Sequence, residues 1–205
     1  MRRVIALMRF ADPVEVEWRT LRASSRSRLF SVIPPPAGLP YRPPTDPDPE
    51  ASAGEYHAVG MVEGESIPED WSTMRGLEAL HAYCVEVRTM FEREPVGDEA
   101  EAITLLGRLM FHADLPDSAA RRSWALHAPL AERVHVGASR YVQNWVVGTL
   151  SRGSPATRGL PELRFPNEAA LVGRFFDCER GRDEILQDTA HFVASGPRFY
   201  LRAIL

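Results

Sequence analysis

Two apolar runs of strand length stand out along the chain, "RVIALMRF" (Arg3–Phe10) and "TLLGRLMF" (Thr104–Phe111). Each ends on Phe and is followed within a few residues by Ala-Asp and a proline, the punctuation of a helix start. The likeness suggests an internal repeat of about 100 residues. In the second copy the pattern predicts a strand over Ala102–His112, a helix over Pro116–His127 and a strand over Arg140–Val147. Leu160–Phe165 then reads as a strand, and Asn167 caps a helix whose apolar face carries Ala169, Val172 and Phe176. "RGRDEILQDTAHFV" adds helical turns, and "RFYLRAIL" closes the chain as a strand.

The first copy gives the same order: strands over Arg3–Phe10, Arg28–Ile33, Tyr56–Val62 and Val85–Phe91, with helices over Val14–Ala23 and Glu69–Ala82. Of the sixteen residues from Pro34 to Pro49, eight are proline, so the 34–50 segment reads as an extended surface loop. The expected fold class is therefore α+β, with two tandem ferredoxin-like βαββαβ units, residues 1–95 and 102–205. Both parities of Thr104–Phe111 are apolar, and Arg3–Phe10 behaves alike, so each sheet should be covered on both faces. Helices on one side and the other sheet on the other would make a pseudo-dimeric α+β barrel, complete within one chain as a monomer.

Composition narrows the chemistry. All 24 basic residues are arginine, so neither a lysine Schiff base nor a Walker A loop is available. A net charge of -4 with scattered arginines gives no reason to expect nucleic acid. No run of about 18 apolar residues is present, so no membrane-spanning helix is expected. The apolar stretch after Met1 is too short for a signal peptide. Cys84 and Cys178 are lone thiols, which together with this makes a cytoplasmic location the expectation. HxH, HxxxH, HExxH, GxGxxG and GxSxG patterns are all missing, so no metal and no cofactor is expected.

His127, just before Pro129, reads either as a cation at a helix C-terminus or as a general acid/base. Strand alternation puts Tyr141, Gln143 and Trp145 on one face and Arg140, Val142 and Asn144 on the other. Tyr141 reads as a core tyrosine with a satisfied hydroxyl or as a pocket group. Asn144, an amide in an apolar run, needs a partner, and a structural hydrogen bond across the barrel seam fits it better than a ligand. His112 ends its strand, either at a pocket or in a solvated turn. His191 follows Asp188 at i+3, which suits an oriented imidazole or an ordinary helical pair. His57, His81 and His135 have no motif around them and read as scaffold.

The segments "SWALHAPLAERV" and "RYVQNWVV", followed by "RFPNEAALVGRFFDCERGRDEILQDTAHFV", resemble the signature of the EthD family of dimeric α+β barrel proteins. The resemblance covers 102–205; the first half has no His-Ala-Pro equivalent and resembles a degenerate copy. It implies a pocket between sheet and helices for a small aromatic or polyketide-like molecule, and an activity without metal or cofactor. His127 would then move a proton, Tyr141 would bind a carbonyl or phenol oxygen, and His112 or His191 would be the second acid/base. Phe111, Trp124, Trp145 and Phe175 would wall a flat substrate, and Asn144 is the remaining substrate-binding candidate. A cyclase or dehydratase-type lyase is the first expectation. A ligand-binding accessory protein and a cofactor-free oxygenase of an electron-rich phenol are the others.

Overall fold

In the computed structural model, residues 1–12, 27–40, 56–94 and 98–204 are described. The strands are β1 (Arg2–Phe10), β2 (Ser27–Ile33), β3 (Ala58–Glu63), β4 (Leu77–Glu92), β5 (Ile103–Gly107), β6 (Met110–Phe111), β7 (Arg140–Thr149), β8 (Gly159–Phe165), β9 (Val193–Ser195) and β10 (Arg198–Ala203). The helices are α1 (Glu69–Ser72), α2 (Asp117–Val134), α3 (Glu168–Gly173) and α4 (Glu179–Ala190). Eight strands close into one barrel in the order β1–β3–β2–β10–β5–β8–β7–β4, and β6 pairs with β9 apart from it. Every pairing in the barrel is antiparallel.

This corrects the expected fold class. The tandem ferredoxin-like units with two facing sheets give way to a single closed antiparallel β-barrel, sealed where β2 meets β10 and β4 meets β7. The double apolar parity has its cause in that closure. Ile5, Leu7, Phe30, Val59, Met61, Tyr83, Leu106, Leu160, Phe199 and Leu201 form a cluster fed by nearly every strand, so one parity fills the barrel interior. The other parity of β1, Val4, Ala6, Met8 and Phe10, packs outside with Trp71. On β5 and β8, Ile103, Leu105, Leu163 and Phe165 lie under Ala128, Ala131, Leu171 and Ile185 of the helices. A closed barrel also leaves no free sheet edge.

Several element bounds change as well. The helix expected over Glu69–Ala82 is only α1, and the chain from Leu77 onward is the longest strand, β4. Gly76, at φ 75°, turns the chain between them, and β4 is then paired along both edges, with β1 and β7. Leu77 and Leu80 imitate a helical face at i, i+3, but two ladders of backbone hydrogen bonds outweigh that local pattern. The expected strand over Ala102–His112 is split into β5 and β6. The helix expected over Val14–Ala23 and most of the proline-rich segment fall outside the described residues. The described start of that segment is not detached: Leu39 packs against the core under the helices.

Candidate functional site

α2 runs through Pro129 to Val134, so His127 lies inside the helix and not at its C-terminus. Proline removes one backbone donor, yet Ala128, Ala131 and Val134 keep the helix seated on the barrel wall. The helix-end reading of His127 is thereby corrected. Its ring is buried between α2 and α4, and Nδ1 lies 2.6 Å from Oδ2 of Asp188. An ionised carboxylate only accepts, so Nδ1 carries the proton and Nε2 is left as the basic nitrogen. Burial holds the His127 pKa below the usual histidine value; the hydrogen bond and charge of Asp188 push it up, but less strongly. At neutral pH the imidazole is the free base.

Beneath His127 lies a hydrogen-bonded group on the outer face of β7. Tyr141 Oη accepts from Trp124 Nε1 at 2.9 Å and from Gln143 Nε2 at 3.1 Å. Gln143 Nε2 also donates to the Trp124 carbonyl at 2.5 Å. Both neighbours of the phenol are donors, so its own hydrogen must be directed elsewhere. Burial raises its pKa well above the ordinary value, so it stays a phenol. The His127 and Tyr141 rings meet edge to face with centroids 6.4 Å apart.

Next to this group sits an aromatic cluster of Phe111, Trp124, Trp145 and Phe192. Phe111 and Trp145 are stacked at 5.3 Å, and Phe192 reaches the His127 ring at 5.6 Å. The Arg121 guanidinium lies 4.5 Å from the Trp145 ring centre, and Arg158 lies 5.5 Å from that of Phe111. Both guanidiniums over the aromatic faces are themselves ion-paired, Arg121 with Glu86 at 2.7 Å and Arg158 with Asp117.

The remaining residues singled out in the sequence do not join the group. His112 Nε2 donates to the Ala190 carbonyl at 2.9 Å, which ties β6 to the end of α4. His191 is exposed, with Nδ1 donating to the Gln187 carbonyl at 2.8 Å; Asp188, three residues earlier, is turned to His127 instead. Asn144 is fully buried inside the barrel and donates to the Leu160 carbonyl at 2.8 Å. Phe175 packs with Phe165, Phe176 and His135, away from the aromatic cluster. Among the described residues no group of three His, Cys, Asp or Glu side chains could hold a metal ion. No helix among them is long and apolar enough to cross a membrane.

No protein-family model matches the chain, so the EthD resemblance rests on the quoted segments alone. No curated protein matches it either. Among solved structures, an anthrone oxidase-like protein superposes with a TM-score of 0.60 at 11% identity, covering 100% of this chain and 91% of its own. A candidate monooxygenase from Fusobacterium nucleatum subsp. nucleatum ATCC 25586 gives 0.56 at 8% identity, covering 100% and 92%. One from Lactobacillus acidophilus NCFM gives 0.55 at 8% identity, covering 98% and 93%. These likenesses show the fold alone.

Sequence reasoning missed three contributors: Asp188 as the partner of His127, Gln143 as a donor to Tyr141, and Phe192. Gln143 had a signal, since it shares a strand face with Tyr141. Asp188 lies 61 residues from His127, and nothing local in the sequence joins them.

Proposed function

We propose that the chain is an acid–base enzyme acting on a small aromatic or polyketide-like molecule, with His127 as the group that moves the proton. The observation that carries this reading is the pair of buried His127 with half-exposed Asp188 at 2.6 Å, set beside Tyr141 and the aromatic cluster. Asp188 fixes the tautomer, so that Nε2 takes a proton from an acidic O–H or C–H of the substrate. The imidazolium that forms is stabilised by the carboxylate. Tyr141 would donate its hydrogen to the oxygen on which negative charge develops. Residues 102–205 supply all of these groups, in keeping with residues 1–95 being a degenerate counterpart.

Two reactions share that first step. A dehydrating cyclisation needs a second proton carrier for the departing hydroxide, and the two histidines proposed for it are engaged elsewhere, on the carbonyls of Ala190 and Gln187. Oxygenation can run on His127 alone: the deprotonated electron-rich phenol passes one electron to dioxygen, the substrate radical and superoxide combine through a C–O bond, and the imidazolium returns its proton to the peroxide so formed. The names of the structural neighbours point the same way. We therefore favour the cofactor-free oxygenase over the lyase.

The test is oxygen uptake by the purified protein with a panel of hydroxylated polycyclic aromatics and their keto tautomers, in air and under argon. Uptake that stops under argon and falls roughly 10²–10⁴-fold in His127→Gln is the expected result. Product formed under argon with loss of one water would establish the lyase instead. No turnover of any panel member, with unchanged binding in His127→Gln, would leave the accessory-protein reading.

A further inference from the structure

A second polar group lies inside the barrel, on the opposite side of the wall from His127. Ile5 pairs with Tyr83 and Leu7 with His81, so Tyr83 and His81 share the interior parity of β1. Tyr56 Oη lies 2.5 Å from His81 Nδ1, and the Tyr56 ring packs edge to face on Phe199, with centroids 5.6 Å apart. Arg108, which follows β5, lies near this group: its charge acts on the Tyr83 hydroxyl, which itself donates to the Pro155 carbonyl at 2.8 Å, and, after burial, helps to hold the His81 pKa down.

Arg108 is only 5% exposed, and its Nη1 is buried with no hydrogen-bond partner. Among the described residues no carboxylate forms an ion pair with it. The contrast lies within the same barrel. Arg3 enters the interior too, but it meets Glu162 at 3.0 Å, and Asn144 stands beside that carboxylate. Arg9, the other cation felt by His81, is half exposed and pairs with Glu78 at 3.4 Å. A guanidinium cannot shed its proton to escape burial, so a buried one is ordinarily matched by an anion. Among the described residues, none supplies the anion that would match Arg108.

We propose that this end of the barrel interior binds a small carboxylate, seated against the Arg108 guanidinium between the Tyr56 and Tyr83 rings. The planar fork of Nη1 and its neighbours suits a flat, singly charged carboxylate. One unpaired cation beside a neutral His81 is a poor match for a doubly charged phosphate. Tyr56, Tyr83 and Phe199 supply apolar surface for the rest of the molecule. The site is separate from the His127 group, which lies outside the barrel wall.

The test uses the full chain, with sodium benzoate as the probe and benzamide as its uncharged counterpart, at matched ionic strength. Isothermal titration calorimetry should show saturable binding of benzoate and at least tenfold weaker binding of benzamide. Arg108→Met should lose at least about tenfold in benzoate affinity, the scale of a charge-assisted pair. Without ligand, Arg108→Met should melt higher than the unmodified protein, because an unmatched buried charge has gone. His127→Gln should bind benzoate as before. Absence of saturable benzoate binding, or an affinity in Arg108→Met within twofold of the original, overturns the proposal. If Arg108→Met does not fold, Arg108→Lys decides: about tenfold weaker binding is expected, and an unchanged affinity overturns the site.

Discussion

The indole of Trp124 lies directly on Gly159 of β8: a Cβ at that position would stand 2.8 Å from Cζ3 and 2.9 Å from Cη2 of the ring. Trp124 also donates to Tyr141 and packs on Phe111 with centroids 5.6 Å apart, so this one contact sets the height of α2 above the barrel wall. Gly60 of β3 holds Trp71 in the same way in the other half, at 2.6 Å. At both positions a strand residue without a Cβ lets the edge of an indole approach the sheet closely.

Gly159→Ala should therefore push Trp124 outward and destabilise the protein by about 1–3 kcal/mol, the range for overpacking a filled site. Thermal unfolding measures the cost. Gly159→Ala paired with Trp124→Phe should recover part of the loss, because the smaller ring vacates the crowded position. A double variant no better than the sum of the two singles would mean that the contact does not fix the helix.

His135 gives a prediction about acid stability. Buried under Phe175, to whose carbonyl its Nδ1–H donates at 2.8 Å, it has its pKa pushed down to about 4. Above the unfolded value of roughly 6.5 it is neutral in both states and affects nothing. As pH falls below 6.5 the unfolded chain takes up the proton first, so stability drops until the folded pKa is reached. The loss across that window is roughly 3 kcal/mol. His135→Asn, whose amide can still donate to Phe175, should flatten the decline in denaturant midpoint between pH 6.5 and 4. An equally steep decline would place the acid sensitivity in other groups.

Barrel closure within one chain predicts a solution mass of a single chain by light scattering. The fragment 99–205 alone would leave the partner edges of β10 and β7 bare, together with the interior face of Leu106, Leu160 and Phe199. It should dimerise or aggregate. A soluble monomer from that fragment would show that the second half can bury its interior face without the first.

Most strands were legible because barrel strands are short apolar runs bounded by turns. Closure was not legible. An apolar face that meets a second sheet and one that lines a barrel carry the same residues; only the pairings of β2 with β10 and β4 with β7 tell them apart. The opposite faces of Tyr141 and Asn144 followed from strand alternation, whereas the length of α2 did not, since Pro129 suggested a stop that packing overrides. The partner of His127 was hidden because two helices distant in sequence bring it there.

That partner supplies the last prediction. If His127 is the base, kcat/KM should rise with pH through a limb below 6.5, because burial lowers its pKa more than Asp188 raises it. Asp188→Asn removes both contributions that raise the pKa, so the limb should move to still lower pH. The rate on the plateau should fall roughly 10²–10⁴-fold, since the amide can present its NH₂ to Nδ1, reverse the tautomer and withhold charge from the imidazolium. Asp188→Glu should restore part of the rate, with the limb moved back upward. A purely structural link between α2 and α4 would lower the melting temperature of Asp188→Asn but leave both the limb and the plateau where they were. The pH–rate profile of these two variants, measured by oxygen uptake or product formation on the same aromatic substrate, separates a base held by Asp188 from a helix clasp.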